Sequence, residues 1–183
     1  MELAGKILIA MPGMGDPRFE RSVILICAHS AEGAMGIILN KPAREMNFAG
    51  LLEHLKIPVA AEGRDIRVHF GGPVERGRGF VLHSPDWRAG GMMAVPGGFG
   101  MTATLDILEA LAKGGGPEAA LLALGYSGWG PGQLEAEIGR NDWLTAEPAA
   151  GLVFSADDGG KWGAALRGMG IDPVTLSGSA GRA

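Results

Sequence analysis

Gly125-Tyr126-Ser127-Gly128-Trp129-Gly130-Pro131-Gly132-Gln133-Leu134-Glu135-Ala136-Glu137 carries the most specific local chemistry in the chain. The apolar run that enters it, Ala119 to Tyr126, reads as a buried strand that gives way to a glycine-rich turn. A helix is expected next, with Pro131 at its first position, where a missing N–H costs nothing. Gln133 is placed to reach back to the helix start. Glu135 and Glu137 put negative charge near the positive end of the helix dipole. A strand-to-helix turn with bare N–H groups is a place where α/β proteins hold anions or nucleophiles.

Neither kind of site is complete. A hydrolase nucleophile elbow needs G-x-S-x-G, and here the second glycine follows Ser127 directly. In that fold the histidine comes after the serine, whereas His29, His54, His69 and His83 all precede it. A phosphate loop needs Gly-Lys-Ser/Thr at the helix start, and Gly132 is followed by Gln133. What remains is an anion site built from backbone N–H groups alone, weighed against a purely structural turn.

Working outward, short strands alternate with turns. Lys6 to Met11, Ser22 to Ala28 and Met35 to Leu39 read as strands, the second a β-branched run. Asn47 caps an expected helix in which Phe48, Leu51, Leu52 and Leu55 form one buried stripe. Strands are expected over Arg67 to Phe70, Gly79 to His83 and Met92 to Val95, and a second helix over Leu105 to Lys113. Gly151 to Ser155 reads as a final strand. A last helix carries Trp162, Ala165, Leu166 and Met169 at helical spacing. Hairpins mixed with four isolated helices argue for an α+β fold rather than regular βαβ winding.

The 183 residues suit one domain, which buries roughly 70% of its unfolded surface. The domain is expected over residues 1–174, with 175–183 as a tail that has little to bury. Glycine, at 32 residues, is more than double the usual share of about 7%, and it falls between apolar runs, as turns and close backbone approaches do. The net charge of −4 and scattered arginines give no basic field for nucleic acid or anionic membrane. No run approaches the ~20 apolar residues of a membrane span. One cysteine allows no internal disulfide and no cysteine-built zinc site. Neither a metal nor a cofactor is expected, and the cytoplasm is the expected compartment.

Other candidates have plainer readings. Gly98 to Ala103 fits G-x-G-x-x-A but lacks a proper βαβ unit, so it reads as a turn. His83 and Ser84, as strand neighbours, point to opposite faces. Cys27 alternates with Val23 and Leu25, as a buried, inert thiol does. Trp129, Trp143 and Trp162 read as core anchors whose indole N–H groups find partners. Two polar groupings suggest a cleft: Asp16 with Arg21, and Asn40 with Lys41, beside Ser127, Trp129, Gln133 and Glu137. Surface ion pairing is the competing reading for the charged members.

Taken together, the motifs resemble the YqgE/AlgH family of bacterial proteins. The resemblance rests on Ile9-Ala10-Met11-Pro12, Asp16 through Val23, Glu32-Gly33-Ala34-Met35-Gly36 and Asn40-Lys41-Pro42. It continues through Gly71-Gly72-Pro73-Val74, Gly125 through Trp129 and Gln133 through Glu137, in the family's order. It implies a branched β-sheet, partly curled into a small barrel and surrounded by helices. Some members are called transcriptional regulators, through a link to alginate production. Relatives commonly close with Gly-His-Ala, and here the end is Gly181-Arg182-Ala183.

Three functions compete. The first is a cytoplasmic regulatory or binding protein acting on a small molecule or a protein partner. The second is an enzyme in which Asp16, Arg21, Asn40, Lys41 and Glu137 converge on one cleft. Direct DNA binding ranks last, because the chain is acidic and shows no helix-turn-helix.

Overall fold

A computed structural model describes residues 1–176; residues 177–183, most of the expected tail, lie outside the described residues. In chain order the strands are β1 (Ile7–Ala10), β2 (Val23–Ser30), β3 (Gly33–Ile38), β4 (Val68–Phe70) and β5 (Val74–His83). β6 (Met92–Val95), β7 (Phe99–Thr102), β8 (Ala120–Trp129) and β9 (Trp143–Ala146) complete the sheet. The helices are α1 (Phe48–His54), α2 (Leu105–Ala112), α3 (Gln133–Gly139) and α4 (Asp158–Gly168). The α+β fold with four helices is therefore as expected, and the sheet curls into a half-barrel.

The strand order is β6-β7-β5-β8-β3-β2-β1-β9, with β4 added to β8 outside this path. Every pairing is antiparallel except β4 with β8. β8 is where the sheet branches. Its first half lies between β5 and the parallel β4, and its second half, Ser127 to Trp129, pairs with β3.

Gly125 makes the branch possible. Its φ is +73°, and a Cβ there would sit 2.5 Å from the Gly72 carbonyl oxygen and 2.9 Å from that of Val74. Only a residue without a side chain lets two backbones approach so closely.

This changes the reading of the opening stretch. The strand does not stop at Tyr126 but runs on to Trp129. Gly125 serves backbone crossing rather than turning. The turn is Gly130-Pro131-Gly132, with Gly132 left-handed at the N-cap, so Pro131 lies outside α3 rather than at its first position. Several of the expected free N–H groups are engaged, that of Gln133 by the Gly130 carbonyl at 3.1 Å. Those of the strand join its ladders, and the Gly130 N–H donates to Gln133 Oε1 at 3.0 Å.

Other expectations shift for similar reasons. The expected strand Gly79–His83 is the second half of a longer one, Val74–His83, that crosses a bulge. Phe99–Thr102 pairs with β5 and β6. The expected strand at Gly151–Ser155 is a series of turns that still bury Leu152 and Val153. The free edge of β1 is taken instead by Trp143–Ala146. In α1, Asn47 caps through the Gly50 N–H at 2.8 Å. Only Phe48 and Leu52 are fully buried there, because the helix ends before Leu55.

The core is layered on both faces of the sheet. Along β2, Val23, Leu25 and Cys27 pack toward α4, while Ile24 and Ile26 pack toward Leu134 of α3. That double burial explains why the run is uninterrupted rather than alternating. α1 and α2 cover β4, β5 and β8 through Phe48, Leu52, Ile107 and Leu111. Each such side chain stabilises the fold by about 1.5–3 kcal/mol.

Candidate functional site

The sequence-derived cleft exists in part. The start of α3 brings Gln133 and Glu137 one turn apart, facing the end of β8. Glu137 Oε1 accepts the indole N–H of Trp129 at 3.1 Å and that of Trp143 at 2.9 Å. Its Oε2 accepts from Gln133 Nε2 at 2.9 Å. The two indoles meet edge to face at 6.2 Å, and Phe19 stands edge-on to Trp143 at 5.9 Å. Asp16 caps the short turn Pro17–Phe19 by accepting the Arg18 N–H at 3.0 Å. It also accepts the Arg18 guanidinium at 2.6 Å, and this hydrogen bond holds the Asp16 carboxyl below its ordinary range.

Asp16, Trp129, Gln133 and Glu137 thus line one cleft of about 350 Å³, together with Arg18 and Arg140. The other four predicted residues stand elsewhere. Ser127 is fully buried inside β8, and its hydroxyl donates to the Gly71 carbonyl at 3.2 Å across the branch. Asn40 donates to the Arg21 carbonyl at 2.9 Å and accepts the Val23 N–H at 2.9 Å. Lys41 donates to the Glu20 carbonyl, and partial burial lowers its pKa. Arg21, left-handed at φ +55°, lays its guanidinium 5.2 Å over the Trp162 ring. These three residues stitch the first loop to β2 and β3.

The cleft they were expected to complete is already satisfied from within. Trp129, Trp143 and Gln133 bond to Glu137, Asp16 pairs with Arg18, Arg140 pairs with Asp142 at 3.1 Å, and Phe19 of the first loop packs on Trp143. It acts as a clasp joining the first loop, β8, α3 and β9.

On the other side of Gly128 and Trp129 lies a larger groove of about 710 Å³. Met35, Val74, Phe80, Met101 and Tyr126 form its apolar floor. Tyr126 stands edge-on to Phe80 at 5.8 Å. One wall is the β2–β3 hairpin with His29 and Glu32, and the other is the bulge in β5. In that bulge Val74 pairs with Tyr126 and Gly79 with Leu124, so residues 75–78 stand opposite Gly125 alone. Glu75 is left-handed at φ +49°. Arg78 lies 4.9 Å over the Phe80 ring and only 3.7 Å from Glu75, with both side chains more than half exposed. His29 is engaged, accepting the Leu3 N–H at 3.3 Å and lying 3.3 Å from Glu135. Glu32 enters no ion pair among the described residues. The groove therefore joins an apolar floor to the Glu32 carboxylate and the exposed Glu75–Arg78 pair.

Sequence reasoning misses this groove. Glu32 to Gly36 and Gly71 to Val74 stand out as motifs, but strand register alone brings them beside Tyr126.

A second feature has no sequence signal. Lys161 is buried, and its ammonium donates to the carbonyls of Leu39 at 2.8 Å and Val153 at 3.0 Å. It also lies 3.4 Å from Asp158. Asp158 accepts from Arg67 at 2.9 Å and from His69 Nε2 at 3.0 Å, while His69 Nδ1 is buried without a partner among the described residues. Burial pulls Lys161 down to about 8 and lowers His69. Against its own burial, Asp158 is held below its ordinary range by His69, Arg67 and Lys161.

The family model described as AlgH-like matches residues 7–174. The chain belongs to the YqgE/AlgH family. A UPF0301 protein of Cereibacter sphaeroides is 69% identical over 184 residues, covering 100% of both chains. One from Ruegeria pomeroyi is 61% identical over 186 residues, again covering 100% of each. Among solved structures, the AlgH protein of Pseudomonas aeruginosa superposes with a TM-score of 0.80 at 38% identity, covering 93% of this chain and 90% of that one. A Corynebacterium diphtheriae protein shares the fold, with a TM-score of 0.74 at 24% identity, covering 96% of this chain and 90% of that one. Among the described residues, no helix is long and apolar enough to cross a membrane.

Proposed function

We propose that this YqgE/AlgH-family protein is a cytoplasmic regulatory binding protein, and that it takes a small molecule or a segment of a partner protein into the groove beside Tyr126. The observation that carries this reading is the contrast between the two sides of Trp129. One side is a clasp whose polar groups satisfy one another. The other is a concave apolar surface with Glu32 and the solvent-exposed Glu75–Arg78 pair at its rim to orient a ligand. Met35 and Met101 in the floor adapt readily to a ligand's shape.

The enzyme reading required Asp16, Arg21, Asn40, Lys41 and Glu137 in one cleft, and only Asp16 and Glu137 line the same one. Regulation through direct DNA contact has little support from a chain of net charge −4. The regulatory role is therefore assigned to ligand or protein binding.

A thermal-shift screen of small molecules, with a pull-down for protein partners, tests this. Hits should lose affinity in Met35→Trp, which fills the groove, and in Arg78→Gln, which removes its cation. A folded protein that yields no hits, or hits indifferent to both substitutions, sinks the proposal.

A further inference from the structure

The bulge in β5 has a second side. Arg78 faces the groove, whereas Arg76 faces a separate cleft of about 730 Å³, lined also by Arg44, Met46, Phe70 and Leu124. Arg76 lies 5.5 Å over the Phe70 ring. Stacking uses the flat face of a guanidinium and leaves its N–H edge available for planar, paired hydrogen bonds. Arg18, Arg67, Arg78 and Arg140 each pair with a carboxylate. Among the described residues Arg44 and Arg76 do not, although Glu45 lines the same cleft. Two uncommitted guanidiniums thus border one apolar floor in a protein whose net charge is negative.

The backbone shows what delivers Arg76 to this place. Residues 75–78 leave the ladder opposite Gly125, and Glu75 holds a left-handed conformation that a side chain seldom adopts. Strain of this kind persists only where the surrounding structure imposes it, and it concentrates at binding sites.

We propose that the Arg44–Arg76 cleft binds a small soluble organic anion, with its apolar or aromatic body on Phe70, Met46 and Leu124 and its phosphate or carboxylate between the two guanidiniums. Charge-assisted, forked hydrogen bonds favour such a group over a neutral one. A polyanion is disfavoured by the acidic remainder of the surface, and the cleft's size suits a single small ligand. The site is distinct from the groove at Tyr126 and stands or falls separately.

Calorimetric titration with phenyl phosphate at low ionic strength tests the proposal, with inorganic phosphate and phenol as controls for the two halves. The expected result is saturable binding that weakens at least about tenfold in Arg76→Gln and in Arg44→Gln, a loss of about 1.4 kcal/mol each. Phe70→Leu should weaken phenyl phosphate but not inorganic phosphate, and Met35→Trp in the groove should change neither. Both arginines are exposed, so their variants are expected to keep the wild-type circular dichroism spectrum. No saturable binding, binding unchanged in the arginine variants, or loss of binding only in Met35→Trp would each overturn it.

Discussion

The indole N–H of Trp129 and the carboxylate of Glu137 meet at 3.1 Å, and the same oxygen takes the indole of Trp143 at 2.9 Å. One carboxylate therefore fixes the end of β8, the middle of α3 and the start of β9. Removing it orphans two indole N–H groups and the Gln133 amide together. Glu137→Ala is expected to cost about 2–4 kcal/mol, since bonds to charged groups contribute about 1.5–3 kcal/mol each and these are only partly additive. Glu137→Gln, which keeps a carbonyl oxygen, should cost less than half as much. Urea unfolding followed by tryptophan fluorescence measures both, and equal losses would refute the clasp.

Asp158 is the only carboxylate bonded to the trio Arg67, His69 and Lys161 among the described residues. Asp158→Ala leaves a buried ammonium facing a guanidinium without an acidic partner. A loss of about 3–5 kcal/mol is expected, the range for breaking a buried ionic network from one side. Chemical denaturation gives the value, and a loss under about 1 kcal/mol would show that the cluster is solvent-relaxed.

The same cluster sets a pH dependence. His69 is lowered by burial, so its folded-state pKa lies below the ordinary 6.5. As pH falls through about 6.5 the unfolded chain takes up a proton that the folded one resists, and stability drops. Lys161 titrates near 8 when folded, against 10.5 ordinarily. Between these values the unfolded chain holds more protons, so the Lys161 contribution grows as pH rises. The difference in thermal midpoint between wild type and Lys161→Met should therefore change from pH 8 to pH 10 in favour of the wild type. A constant difference would contradict the assignment.

Gly125→Ala tests the branch. The left-handed φ and the 2.5 Å approach to the Gly72 oxygen leave no room for a methyl group. A loss of about 2 kcal/mol or more is expected, along with reduced soluble yield. Gly132 is also left-handed, but a Cβ there would meet nothing within 4 Å, so Gly132→Ala should cost only about 1 kcal/mol. Comparable losses at the two positions would remove the special role of Gly125.

Much of the fold is legible in the chain because its signals are local. The β-branched run of β2, the Asn47 cap and the turn residues each act within a few positions. Cys27 shows how far alternation reaches: it shares a face with Val23 and Leu25 and is buried as expected, with burial pushing its thiol up to about 12. Trp129, Trp143 and Trp162, the tryptophans read as core anchors, also find indole partners, Trp162 through the Ala10 carbonyl at 2.8 Å. Trp143–Ala146 escapes a sequence reading as a strand because its partner, β1, lies more than 130 residues away in sequence. Gly151–Ser155 misleads because burial of Leu152 and Val153 looks the same in a turn as in a strand.

The sequence by itself determined the family, the α+β class, most of the buried strands and Asp16, Trp129, Gln133 and Glu137 of the clasp, all through short-range periodicity and motif order. Only the tertiary structure decided that Gly125 is a branch point, that the clasp is closed and that the groove beside it is open. It alone brings Lys161 to the Leu39 carbonyl across 122 positions and sets Arg44 and Arg76 on one cleft. The physical reason is that register and backbone crossing depend on which distant strands pair. That choice is made by the summed burial of the whole core, and no single stretch of the chain records it.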